Sequence, residues 1–219
     1  MNFLKFLLIT LMMLPSWTYA NNEDRPNKAL CPVCAALGET EKEKVKAHAE
    51  HDGQAYYFCS KNCLKEFEKD PTAYIPPRLP RPVPSVSVET LEGKRVRLDA
   101  YEGKVIVLDF WATWCKPCVD LMPGLESLSK TYGDKGLVVL GVSVDEGKDH
   151  NKQIRKFVDK VGVSYPIFLD ARSPRLWHTF KVKAIPALFL IDRSGQIVAQ
   201  WLGKIDHKAL ETEIRKHLK

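Results

Sequence analysis

Three features are scarce in these 219 residues, and each scarcity excludes a class of protein. The one sustained apolar stretch, Phe6 to Leu14, falls short of the roughly 20 residues needed to cross a bilayer, and no second candidate follows it. A polytopic membrane protein is therefore excluded. Arginine-rich runs interleaved with aromatics are missing, so the net charge of +6 is solvated surface charge and argues for no nucleic-acid partner. There is no internal repeat, and the only low-complexity tract is a short proline-dense segment. A lipoprotein-type site is also lacking, because Lys28-Ala29-Leu30 precedes Cys31.

Residues 1–20 read as a secretory signal: Lys5, the apolar core Phe6 to Leu14, then Thr18-Tyr19-Ala20 at the cleavage site. The mature chain is expected to begin near Asn21 in an exported, periplasmic compartment, with no transmembrane segment once the signal is cleaved. An uncleaved signal acting as a membrane anchor is the alternative. In such an oxidising compartment six cysteines must be disulfides, metal ligands or a redox centre. Residues 21–74 carry 8 Lys/Arg against 10 Asp/Glu, and residues 75–219 carry 24 against 17, so the positive excess lies in the second part.

The chain is organised around Trp111-Ala112-Thr113-Trp114-Cys115-Lys116-Pro117-Cys118. The β-rich run Val105 to Phe110 leads into it and an amphipathic run leaves it. Two cysteines two residues apart, where a buried strand hands over to a helix, make a thiol–disulfide centre. The first sulfur lies at the helix N-terminus, where unpaired N–H groups and the macrodipole favour the thiolate. Lys116 adds positive potential, and Pro117 is tolerated in the first turn and stiffens it.

Residues 21–74 form a small cysteine-rich α+β module. Val45 to His51 and Gln54 to Phe58 flank the turn Asp52-Gly53, Ser60 caps a helix from Lys61 to Lys69, and Asp70-Pro71 ends it. So small a core needs a staple of metal or disulfide. Residues 75–84 read as a semi-rigid polyproline linker holding the modules apart by up to ~30 Å. In residues 85–219, a hairpin turning at Glu92-Gly93 precedes two buried strands, Val105 to Phe110 and Leu137 to Val144. Helices are expected after Cys115 up to Gly133, from about 150 to Gly162, and from Lys208 to Leu218. A short strand spans Tyr165 to Leu169, and the hairpin Ala187–Ile191/Gln196–Leu202 turns at Asp192 to Gly195. This order implies an α/β domain with a mixed central sheet and helices on both faces.

Residues from about 84 onward resemble the exported TlpA/ResA-like thiol–disulfide oxidoreductases, which have the thioredoxin fold. The likeness rests on Asp109 to Cys118, Pro123, Ile185-Pro186 and Gly203. It implies that Cys115 is the nucleophile and Cys118 the resolving cysteine, with no cofactor needed for the redox chemistry. Pro186 is implied to be a cis-proline facing the pair, with Ile185 before it. Asp109 matches the buried acid that carries a proton to or from the resolving cysteine. Thioredoxins place a lysine beside that acid, whereas the matching strand here reads Leu140-Gly141-Val142, so a simply satisfied buried carboxylate is the alternative. Trp114, Lys116, Pro117 and Ile185 are expected to bind substrate, and Trp111 to pack. A peroxidase-like redoxin would need a lone cysteine after a threonine; Thr113 is present, but the Cys115/Cys118 pair argues for disulfide exchange.

Cys31-x2-Cys34 and Cys59-x3-Cys63, with Tyr56 to Cys63 and Phe67 to Tyr74, resemble the YHS/TRASH type of metal-binding domain. Four thiolates suit Zn²⁺ or Cu⁺, and two structural disulfides are the alternative. His48 and His51 are spare ligand candidates, with an exposed strand histidine the plainer reading of His48. The resemblance implies an exported reductant acting on disulfide-bearing clients such as apocytochromes or copper-site proteins, recharged by a membrane thiol-reductant donor. The alternative is a copper or zinc delivery protein whose redox domain keeps client metal-site cysteines reduced. A structural adaptor with an inert second domain is disfavoured by the intact pair.

Overall fold

The computed structural model describes residues 25–75, 77–147, 149–170 and 175–219; the signal expected over 1–20 lies outside them. In the N-terminal module, β1 (Lys28–Ala29) leads to the one-turn helix α1 (Pro32–Ala35) and then β2 (Glu43–Lys44), which pairs with β1. The expected hairpin is β3 (Ala47–His51) with β4 (Gln54–Phe58), and both turn residues have positive φ, Asp52 at 50° and Gly53 at 72°. Helix α2 (Lys61–Lys69) starts as expected, with the Ser60 hydroxyl accepting the Cys63 N–H at 3.1 Å. Phe67 centres the module: its ring lies 5.0 Å from Phe58 and 5.1 Å from Tyr56, and it is 1 % exposed.

The second module carries β5 (Arg81–Pro82), β6 (Ser87–Thr90), β7 (Arg95–Arg97), β8 (Val105–Trp111), α3 (Lys116–Tyr132), β9 (Leu137–Ser143), α4 (His150–Val161), β10 (Ile167–Leu169), α5 (Leu176–Thr179), β11 (Ala187–Ile191), β12 (Gln196–Leu202) and α6 (His207–His217). One mixed sheet runs in the order β5-β12-β11-β8-β9-β10-β6-β7, with β8, β9 and β10 parallel. Every residue of β8 is buried, which is what an unbroken apolar run in a central strand requires. Ile106, Leu108 and Phe110 face one core with Leu98, Leu176, Phe180 and Phe189. Val105 and Val107 face the other with Leu121 and Leu125 of α3 and Leu210 and Ile214 of α6. Helix α4 adds Ile154 beside Trp111 and Met122 at the end of that face nearest the cysteine pair.

The C-terminal end of the expected linker joins the sheet. Arg81 and Pro82 pair with Ile197 and Gln196 of β12 as the sheet's edge, and the Val83 N–H donates to Gly195 O at 2.9 Å. Proline is tolerated on an edge strand, and Val83 gains a place against the core, so the segment is drawn in and does not stand as a rod. The modules touch. The Lys181 ammonium donates to Thr72 Oγ1 at 3.4 Å, and a Cβ on Gly203 would lie 2.8 Å from Gly38 Cα.

Truncating the module's central ring tests this packing. Phe67→Ala is expected to cost about 3–5 kcal/mol, whereas Gln54→Ala on the exposed hairpin should stay within about 0.5 kcal/mol. Urea titration followed by near-UV circular dichroism reads the difference.

Candidate functional site

Cys115 ends the loop that leaves β8 and caps α3. Its Sγ accepts the Cys118 N–H at 3.3 Å, and its own N–H donates to Ala112 O. The two cysteines are joined by a disulfide, with their Cα atoms 5.3 Å apart. Cys115 is 5 % exposed and Cys118 not at all, so Cys115 presents the reachable sulfur. Beside them Trp114 is 71 % exposed, whereas Trp111 is buried with its ring 5.7 Å from Phe157. Lys116 does not direct its charge at Cys115 alone: its ammonium pairs with Asp120 at 2.8 Å, in an exposed bridge of little energetic weight.

The loop before Cys115 is held by a residue that the sequence motif does not mark. Asp145 accepts the Thr113 N–H at 2.9 Å, the Thr113 hydroxyl at 2.7 Å and the Ser143 hydroxyl at 2.8 Å. Thr113 is thereby committed to positioning the backbone. The pairing spans 32 residues, so no local signal announces it.

Ile185-Pro186 is cis, and Gly203 N donates to Pro186 O at 2.9 Å. Two grooves meet at Ile185. One, of about 580 Å³, is lined by Trp114, Trp177, Val182 and Lys183. The other, of about 550 Å³, is lined by Pro117, Asp120, Leu121, Pro186 and Gly203 and by Leu37 to Glu39 of the N-terminal module. Trp177 belongs to α5, a helix too short for periodicity to reveal.

Asp109 lies on the same face of β8 as Trp111, opposite Gly141 of β9 and Leu188 of β11. It is fully buried, and neither carboxyl oxygen has a hydrogen-bond partner among the described residues. Loss of hydration pushes its pKa up to about 8, so at neutral pH it holds a proton. A Cβ on Gly141 would meet Ile167 Cδ1 at 2.7 Å, Trp111 Nε1 at 3.1 Å and Tyr165 Cε2 at 3.2 Å, so these three side chains crowd the position where a lysine could otherwise stand.

The sulfurs of Cys31, Cys34, Cys59 and Cys63 all lie within 4.8 Å of one another, with Cys34–Cys59 at 3.4 Å and Cys59–Cys63 at 3.6 Å. All four are free thiols, so the two-disulfide alternative is not formed. Tetrahedral Zn–S bonds of about 2.3 Å put sulfurs about 3.8 Å apart, and this set fits such an ion. Burial opposes ionisation of Cys31, Cys34 and Cys59, yet the backbone N–H groups and thiols of Cys34 and Cys59 together outweigh it at Cys31 and lower that pKa, while Cys34 and Cys59 are raised. A dication would offset the burial and the thiolate repulsion that raise Cys34 and Cys59. His48 instead bonds Arg25 at 2.8 Å and His51 lies edge-on to Phe67, so neither joins the cluster.

The AhpC/TSA family model matches residues 80–200, and the YHS domain model matches residues 32–78. The thiol-disulfide oxidoreductase ResA of Bacillus anthracis is 34 % identical over 133 residues, 61 % of this chain and 75 % of that protein. The thioredoxin-like protein YneN of Bacillus subtilis is 34 % identical over 131 residues, 60 % of this chain and 75 % of that one. Among solved structures, a DsbE-type thiol:disulfide interchange protein from Chlorobium tepidum is 30 % identical, with a TM-score of 0.58 over 64 % of this chain and 97 % of its own. With a cysteine pair delivered by a buried strand to a helix N-terminus, the chain belongs to the AhpC/TSA family, as a ResA/YneN-type thiol–disulfide oxidoreductase of thioredoxin fold bearing an N-terminal YHS domain.

Proposed function

We propose that the protein is an exported disulfide reductant whose YHS domain binds a thiophilic metal ion. The observation that carries the reading is the weakly stabilised sulfur of Cys115. It accepts one backbone N–H, its neighbouring Lys116 is partnered by Asp120, and an unpartnered carboxyl is buried on the strand that leads into the pair. A pair becomes oxidising when its reduced form is strongly stabilised; modest thiolate stabilisation favours donation of electrons. The Cys115 thiolate attacks a client disulfide, forming a mixed disulfide and expelling the first client thiolate. Cys118 gives its proton to Asp109 in the fraction of chains where that carboxyl is ionised, and the Cys118 thiolate attacks Cys115 Sγ. The second client thiolate then leaves, taking up a proton, and the client has gained two electrons. Trp114, Lys116, Pro117 and Ile185 form the client surface, with cis-Pro186 presenting backbone. The product is the Cys115–Cys118 disulfide, which a dithiol donor must reduce for the next turnover. In an exported setting that donor is a membrane thiol protein, and export itself rests on the basic, apolar and small-residue pattern of residues 1–20. No helix among the described residues is long and apolar enough to cross a membrane.

Cys31, Cys34, Cys59 and Cys63 would hold Zn²⁺ or Cu⁺, and a bound ion would supply a structural staple for a small core. That cluster also supports the second reading, a metal-delivery protein acting on client sites such as copper centres or apocytochromes.

Three outcomes are expected. Cys115→Ser abolishes reduction of oxidised insulin, and Cys118→Ser accumulates a mixed disulfide visible as a mass adduct; unchanged turnover by Cys115→Ser would sink the redox assignment. Because the folded pKa of Asp109, about 8, stands above its ordinary 3.8, the folded state holds the extra proton between those values. Stability therefore falls by about 1.4 kcal/mol per unit as pH rises through that window, and levels off above it. Asp109→Asn should remove this slope in urea titrations from pH 4 to 9 and prolong the mixed disulfide. Reduced full-length protein is expected to take up about one Zn²⁺ or Cu⁺ per chain by elemental analysis and to lose it on Cys59→Ser. Uptake of neither ion would leave the four cysteines without a metal role.

A further inference from the structure

The turn that follows α1 belongs to the YHS domain, yet it ends at the redox surface. Leu37 N and Glu39 N both donate to the Cys34 carbonyl, at 2.9 and 3.1 Å, and Gly38 N donates to Ala35 O at 3.0 Å. These bonds fold residues 35–39 tightly and push Gly38 outward, at a φ of 93° that suits glycine. Gly38 meets Gly203, itself at 71°, backbone against backbone. A Cβ on Gly203 would lie 2.8 Å from both the Cα and the O of Gly38. No side chain fits between them, so the two modules are in direct van der Waals contact one hydrogen bond away from Pro186.

This contact sets Leu37 in one groove with Pro117, the residue between Lys116 and Cys118. Leu37 is 61 % exposed and Trp114 71 %, the two highest values among the exposed large apolar residues. Leu37 lines the groove that also holds Pro117, Ile185 and Pro186, and Trp114 lines the groove on the opposite side of Ile185. An aliphatic side chain so exposed gains nothing in folding; it gains only when something covers it. The rim carries Glu39 and Asp120 together with Lys204 and His207, so it offers both signs of charge and selects no strongly charged partner.

We propose that Leu37 of the YHS domain is a specificity-determining residue of the redox site. It forms the apolar wall that receives the residue flanking the attacked cysteine of an extended, disulfide-bonded client. The inference rests on the assignment of Cys115 as the client-attacking thiol and adds to it that recognition is shared between the two modules. Clients with an aliphatic or aromatic neighbour to the reacting cysteine are favoured, and clients with an acidic neighbour are disfavoured.

The test uses the full-length, pre-reduced protein and two synthetic peptides, each closed by one disulfide and identical except for Leu or Asp beside the attacked cysteine. The readout is the ratio of the two kcat/KM values within each variant, so general loss of redox activity cancels. Wild type is expected to prefer the Leu peptide by roughly tenfold, the range one apolar contact supplies. Leu37→Asp should bring the ratio close to one, and Leu37→Met should restore most of it. Gly38→Val, which forces the turn away from Gly203, should lower the ratio as Leu37→Asp does. A wild-type ratio near one, or a ratio that Leu37→Asp leaves unchanged, overturns the proposal while leaving the redox assignment intact. Failure of wild type to reduce either peptide overturns both.

Discussion

The constraint on which the rest depends is the burial of β8 on both faces. Seven consecutive buried residues leave the strand no freedom to slip, because a one-residue shift would exchange its two cores. That fixed register puts Asp109 under α3 and brings Trp111 to the sheet's end. The chain then leaves the sheet where the first turn of a helix begins. Thr113, tied to Asp145, turns the backbone so that Cys115 caps that helix and Cys118 lies one turn inside. The chemistry is thus placed by apolar packing and one carboxylate clamp, and the reacting sulfurs do not have to organise the fold.

The electrostatics of the pair reflect competing demands. The helix terminus draws the Cys115 sulfur toward the thiolate, with one N–H in direct contact. Asp120 takes up much of the influence of Lys116, and a buried carboxyl without partners resists any further negative charge nearby. A neutral Asp109 is tolerated in an apolar interior where its anion is not, whereas the proton-transfer role proposed for it requires that anion. Stability and chemistry therefore ask opposite things of this residue, a common condition at sites where a titratable group is held away from water.

Much of this was legible because local rules act over a few residues. Ser60, Asp52-Gly53, Gly162 and the Cys115 helix start each declare their conformation through capping or positive φ, and each forms as read. The central strands followed from their apolar runs. What escaped depends on partners far along the chain. Arg81-Pro82 reads as polyproline until the edge of β12 is there to receive it. Asp145 looks like an ordinary loop acid until Thr113 is brought to it. The crowding of Gly141, across the sheet from Asp109, by Ile167, Trp111 and Tyr165 is likewise something no neighbouring residue reports. The contact of Gly38 with Gly203 was invisible for the same reason: two glycines 165 positions apart carry no pattern, only room for each other.

That contact bears on how the two modules could be supplied. A separate cysteine-rich protein would have to reach the redox surface by diffusion and would be present there only in proportion to its abundance. Carried on one chain, and with the connecting segment stitched into the sheet at β5, the YHS domain has an effective concentration on the order of millimolar at that surface. Occupancy of the seat beside Pro186 is then independent of expression level, and every copy of the enzyme meets its clients with both modules already side by side.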